Sequence, residues 1–191
     1  MLSPVRTSAP ATNPVTLTEA KSQCRVDHSD DDTLITLLIS AATAHLDGYA
    51  GVLGRALVTQ TWRQDLESFS DPLRLALGPV ASITSVTYYD ADNAVQTLAG
   101  TVYGLFSDEF GAYLALKPDQ TFPSVYSRRD AISVTYVAGV ADSAVPAPIK
   151  HAILLMVGHW YANREAVAPG QMYDVPMAVD ALIRPYRRVG V

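Results

Sequence analysis

Cysteine is nearly missing from this 191-residue chain: Cys24 stands alone. No intrachain disulfide framework and no thiolate ligand cluster can form, which favours folding in a reducing compartment. Positive charge is also in short supply, with 14 Lys and Arg against 19 Asp and Glu and a formal net charge of −5. A nonspecific nucleic-acid coat would show the opposite balance, a basic stripe. No run approaches the roughly 18 continuous apolar residues of a membrane span. The opening MLSPVRTSAPATNPV has no apolar core of a signal peptide, so the expectation is a soluble protein. Also absent are a GxSxG elbow and a glycine-rich phosphate loop followed by Lys and Ser or Thr.

What is present begins with AVPAPIKHAILLMVGHWYANREAV, from Ala144 to Val167. Prolines near a helix start cost no needed N–H, and Ile149, Ala152, Ile153, Met156, Val157 and Trp160 then recur at helical steps. Leu154, Leu155 and Tyr161 lie off that stripe. A helix apolar on more than one side belongs in a core, or against both a core and a neighbouring subunit. Upstream, Thr16 and Glu19 have capping-box spacing before a helix near 17–25. Ser29 and Asp32 repeat that spacing before a longer helix whose buried face runs through Ile35, Leu38, Ile39, Ala42, Leu46 and Tyr49, with Gly51 and Gly54 as its stop. Asp30, Asp31 and Asp32 suit the positive end of that helix.

The middle changes period. Val58, Gln60, Trp62, Gln64 and Leu66 alternate with polar neighbours, as do Leu73, Leu75 and Leu77. Ser82–Leu98 reads as two strands joined at Asp90–Asn93, and Tyr113–Leu116 and Ile132–Val137 are further strand candidates. A last short helix is expected over Met177–Ile183, ended or bent at Pro185. The fold class is therefore α+β: a core of three to four helices with a small antiparallel β-sheet region inserted between the second and third. The expected layout is a flexible arm at 1–15, one domain over 16–183 with a strand-rich insertion at about 56–138, and a tail at 184–191.

Tests for chemistry come out blank. His151 and His159 are two helical turns apart, too far for shared coordination, and Cys24 with His28 straddles a helix end. The acidic group Asp27, Asp30, Asp31 and Asp32 lacks calcium-loop spacing and is better explained by capping and solvation. Asp65, Glu67 and Asp71 carry no sign of a catalytic pair, and no nucleophile, base and orienting group occur together. No catalytic residue, cofactor site or metal site is expected. Trp62 and Trp160 read as core anchors. Arg128–Arg129 and the cluster Arg184, Arg187 and Arg188 suit phosphates or acidic protein surfaces equally.

The succession VTLTEAKSQCRVD, DDDTLITLLISAATAHLDGYAG, TQTWRQDLESF, ITSVTYYDADNAVQTL, ISVTYVAG, VPAPIKHAILLMVGHWYANRE and VDALIRPYRR resembles the head–tail connector, or adaptor, family of tailed bacteriophages, prophages and gene-transfer particles, from about Val15 to Arg188. The resemblance implies a structural protein of the virion neck, present in the host cytoplasm before particle assembly. Its implied partners are copies of itself, commonly in a twelvefold ring and monomeric when free, a portal protein, and a stopper or tail-completion protein. Double-stranded DNA would pass without sequence-specific binding. It implies no enzymatic role and no cofactor. NRE at Asn163, Arg164 and Glu165 and the terminal Arg187 and Arg188 match family-like positions. With Arg184 they are the interface candidates. Beside that stands a local reading, in which Asn163 and Arg164 cap and solvate a helix end and Glu165 makes a nearby ion pair. Another neck component, such as a stopper or tail-completion protein, is the alternative; a soluble enzyme with a polar pocket is the distant third.

Overall fold

The computed structural model describes residues 2–164 and 177–188. The described residues fall into two compact units, neither of them a continuous stretch: residues 2–11 with 59–140, and residues 12–58 with 141–164 and 177–188. Strands make the first and helices the second.

In the helical unit, α1 (Leu17–Cys24) starts on a true capping box. The Thr16 hydroxyl accepts from the Glu19 N–H at 3.2 Å, and the Glu19 carboxylate accepts from the Thr16 N–H at 2.6 Å. Two N–H groups that a helix start would leave unpaired are thereby satisfied. The second box is not formed: α2 (Asp32–Leu46) has Asp31 at its cap, with no side-chain bond to the helix start. Asp31 is engaged elsewhere, as shown below.

The end of α2 also corrects the expected boundary. It stops at Leu46, earlier than the glycines, because Asp47 turns extended and its Oδ1 accepts from the Leu57 N–H at 2.7 Å. Tyr49 therefore leaves the helix and is 48% exposed, not part of its buried face. Gly51 is needed for the fold-back itself, since a Cβ there would fall 2.3 Å from the Asp47 carbonyl oxygen.

α3 (Ala147–Ala162) begins behind Pro146, with Pro148 inside its first turn. It packs against α1, α2 and α4 (Met177–Ile183). Ile149, Ala152, Ile153, Met156 and Val157 are buried, facing Ile35, Ile39, Ala42 and Leu46 of α2, Ala20 of α1 and Val179 and Ile183 of α4 as the apolar interior of this unit. Burying each large aliphatic side chain contributes about 1.5–3 kcal/mol. Trp160 is only half-buried, so it is not the interior anchor expected.

In the strand unit, a five-stranded antiparallel sheet has the order β1-β2-β8-β4-β5, from β1 (Val5–Ser8), β2 (Gln60–Leu66), β8 (Ile132–Ala138), β4 (Val80–Tyr89) and β5 (Val95–Thr97). A second, three-stranded sheet has the order β3-β7-β6, from β3 (Leu73–Arg74), β7 (Gly111–Leu116) and β6 (Tyr103–Asp108). The insertion between α2 and α3 is thus two antiparallel sheets. The β4–β5 turn falls at Asp90–Asn93, as the clustered Asp and Asn indicate. Within the 1–15 segment read as an arm, Val5 and Arg6 stand opposite Arg63 and Trp62, so the chain start supplies an edge strand.

Register puts Gln60, Trp62 and Gln64 of β2 beside Ala138, Tyr136 and Val134 of β8, all buried. Two glutamines in a buried row require partners. Gln64 has them: its Nε2 donates to the Arg74 carbonyl at 2.9 Å, and its Oε1 accepts from the Ala76 N–H at 2.8 Å. Behind it, Leu73, Leu75 and Leu77 are fully buried. Their alternation was correctly read, although only Leu73–Arg74 makes strand pairs.

Candidate interface sites

The last turn of α3 shows what the NRE segment does locally. Asn163 caps the helix: its backbone N–H and its Nδ2 both donate to the His159 carbonyl, at 3.0 and 2.9 Å. Arg164 reaches back to the start of α2, where its Nη2 donates to Asp31 Oδ2 at 2.9 Å. Its guanidinium also lies 4.6 Å from the Tyr161 ring centroid. The Tyr161 hydroxyl donates to the same Asp31 oxygen. These two donors, tyrosine first, hold the Asp31 carboxyl below its ordinary range, and the shared proton raises Tyr161 in turn. One carboxylate thus ties the beginning of α2 to the end of α3. Glu165 lies outside the described residues.

Arginines at the other candidate position follow α4. A 3-10 turn at Arg184–Tyr186 carries the chain to Arg187, whose Nη2 is 2.9 Å from Asp180 Oδ1 in a solvent-exposed pair. Arg184 is exposed. The Arg188 N–H donates to the Leu53 carbonyl at 3.0 Å, so this segment lies back on the loop after α2. Gly54, at φ +60°, passes close under Arg188. Beside it, burial pushes the Arg55 guanidinium below its ordinary value, opposed by the nearby Tyr186 hydroxyl. The candidates therefore form two groups in the helical unit, Asn163 with Arg164 and Arg184 with Arg187 and Arg188.

Two surfaces escaped the sequence reading. The outward face of the small sheet carries Arg74, Tyr113 and Phe106 side by side on three strands. Arg74 makes a bidentate pair with Asp108 at 3.0 and 2.7 Å, and its guanidinium is 5.2 Å from the Phe110 ring centroid and 5.5 Å from that of Tyr113. Phe106 and Phe110 are about half exposed, at 49% and 48%. β6 went unread because Gly104 and the polar Ser107–Asp108 break its apolar alternation. The second surface is the outward side of α2, where Leu37 is 64% exposed. Its signal was visible: no charged residue occurs between Asp32 and His45.

Among the described residues no three of His, Cys, Asp and Glu converge to hold a metal ion. Asp65 is buried, but its oxygens are taken by Ser133 at 2.7 Å and Arg63 at 3.1 Å. Burial pushes the Cys24 thiol up, away from the reactive thiolate. No helix among the described residues is long and apolar enough to cross a membrane.

Residues 14–102, which run from before α1 through β5, match the family model described as Phage gp6-like head-tail connector protein. Over these residues the chain is similar to that connector family. The resemblance drawn from the sequence pieces is met by this match. The likeness in fold covers more of the chain: it is similar, over 100% of its own length and 97% of theirs, to chains solved in gene transfer agent (GTA) particles. One comes from the "Neck of empty GTA particle computed with C6 symmetry", at 22% identity and TM-score 0.77. Another is from the "Virion of native gene transfer agent (GTA) particle", at 21% and 0.78. A third is from the "Neck of native GTA particle computed with C12 symmetry", at 20% and 0.70. A comparison with curated protein sequences gives no match.

Proposed function

We propose that this protein is a structural adaptor that assembles as a ring beneath a phage-type portal, joins the DNA-filled head to the tail and extends the DNA channel. The observation that carries the proposal is the connector-family match over residues 14–102. Likeness of the whole fold to chains from particle necks solved with C6 and C12 symmetry supports it. Its work is done by contact and shape, with no turnover. A repeated contact between two different surfaces closes into a ring when its rotation closes. Portal binding would hold the copies at the vertex, and a stopper or tail-completion protein would dock on the opposite side. The net charge of −5 suits a wall past which DNA slides without being gripped.

Mixing the purified protein with portal-bearing, tail-less particles tests this directly. Imaging is expected to show a symmetric ring at the portal vertex, twelvefold in copy number. Folded protein that never decorates that vertex would overturn the adaptor reading, and decoration only after another neck component has bound would point to a stopper instead.

A further inference from the structure

We propose that Asp31 is a two-position clasp: in the free chain it holds the end of α3, and when a carboxylate on an acidic partner protein captures Arg164 it turns back to cap the start of α2. The capture rests on the adaptor reading; the two positions of Asp31 do not. A missing bond is the starting point. Before α1, Thr16 has extended backbone, φ −88° and ψ 159°, and its hydroxyl accepts from the N–H of Glu19. Asp31 holds the same place before α2, and Asp ranks at least as high as Thr as a capping residue. Its backbone lies instead at φ −97° and ψ 5°, and its side chain accepts nothing from the helix start. The N–H groups of Thr33 and Leu34 have no partner among the described residues.

The carboxylate that would cap α2 is drawn to α3, where Asp31 Oδ2 accepts from the Tyr161 hydroxyl and from Arg164 Nη2. One side chain therefore has two sets of donors that exclude each other, one on α3 and one on its own helix. Turning ψ to the extended value seen at Thr16 exchanges the first set for the second, and the carboxylate is hydrogen-bonded in both. Release of α3 is thus offset by a formed cap, which makes the contact exchangeable and not merely breakable. Arg164 is the donor that a partner can reach. Its side chain is 51% exposed against 22% for Asp31. The Tyr161 ring, 4.6 Å away, keeps the guanidinium in place, and only Nη2 is bonded to the carboxylate. A carboxylate on another protein can take two N–H groups of the guanidinium in parallel, a stronger arrangement than this single bond. The carboxylates on either side of Asp31 do not compete for it: Asp32 is bonded to Lys21 at 2.6 Å, and Asp30 faces His28 at 3.9 Å.

Amide hydrogen exchange read by NMR tests the two positions. Tyr161→Phe with Arg164→Met leaves Asp31 no donor on α3. The Leu34 amide of that variant is expected to exchange about tenfold more slowly than in the unaltered protein, and adding Asp31→Ala is expected to abolish the gain. Unchanged exchange at both Thr33 and Leu34, or a gain that survives Asp31→Ala, overturns the clasp. Arg164→Met alone, which keeps the Tyr161 donor, serves if the double variant does not fold: a smaller gain is expected, and none overturns the clasp. Binding to portal-bearing, tail-less particles tests the capture. Asp31→Ala frees Arg164 and is expected to bind about threefold more tightly than the unaltered protein, and Arg164→Met about threefold less tightly. Equal binding by Asp31→Ala and the unaltered protein overturns the capture while leaving the adaptor reading intact. No binding by the unaltered protein overturns the adaptor reading and the capture with it, whereas the exchange result decides the two positions of Asp31 by itself.

Discussion

Asp31 is the residue with the most consequence for its size. Its carboxylate accepts from Tyr161 and Arg164, which depresses its pKa in the folded chain. The direction of the pH effect follows. A folded value below the unfolded value of about 3.9 means that the contribution to stability is fully present above that value and is lost as pH falls through the folded value. Asp31→Asn should therefore flatten the acid limb of a Tm-against-pH curve below about pH 4, while leaving the neutral limb slightly lowered but parallel. Identical acid limbs in the two proteins would show that the carboxylate is not linked to folding. The same pairing explains why Arg164 reads two ways in the sequence. Its local role is occupied by Asp31, and an additional role at an assembly contact belongs to the proposal. Gly54 offers a second single-residue check: its φ of +60° suits glycine, so Gly54→Ala should destabilise by about 1–2 kcal/mol in urea unfolding.

Among the elements, those with strong local signals were legible. Capping chemistry marked α1, and replacing Thr16 by Ala should cost about 1 kcal/mol, measured by chemical denaturation. The face of α3 was visible in its three- and four-residue spacing, and Ile153→Ala, at a site with no exposure, should cost about 2–5 kcal/mol. β4, β5, β7 and β8 were visible through alternation and turn residues. The elements that were missed have weak local signals. β1 has four exposed residues, so no burial pattern marks it, and only pairing with β2, more than fifty residues away, makes it a strand. β6 depends in the same way on β7. The end of α2 was misjudged because glycines signal a stop only when nothing stops the helix sooner, and the Asp47 side chain does so through the Leu57 N–H. Of the interface candidates, Asn163 and Arg164 came from their match to family-like positions, and their part in an interface belongs to the proposal. Asp31 as the anchor of Arg164 was not legible, since a bond across about 130 positions leaves no trace in local spacing.

For the whole molecule, the order and spacing of the sequence pieces carried more than any one of them. No motif of a reaction centre was found in the sequence, and the proposed adaptor role needs none. The terminal arginines belong to this scale. The Arg188 backbone is bonded to the Leu53 carbonyl, so removing the segment would also disturb the loop after α2. Charge reversal is the cleaner test: Arg184→Glu with Arg187→Glu should weaken binding to portal-bearing particles several-fold, with the loss growing at low salt, as exposed charges are screened at high salt. Unchanged binding would reject these arginines as a dock.

The path of the chain has one more outcome. Because β1 comes from the first residues and sits at the rim of the five-stranded sheet, it pairs on its outer side with no other strand among the described residues, and its inner neighbour, β2, relies on it. A protease that clipped the first eleven residues would strip a row of N–H and C=O groups of their mates and leave β2 bare. Preparations nicked there should turn turbid sooner than intact ones, long before their helices melt.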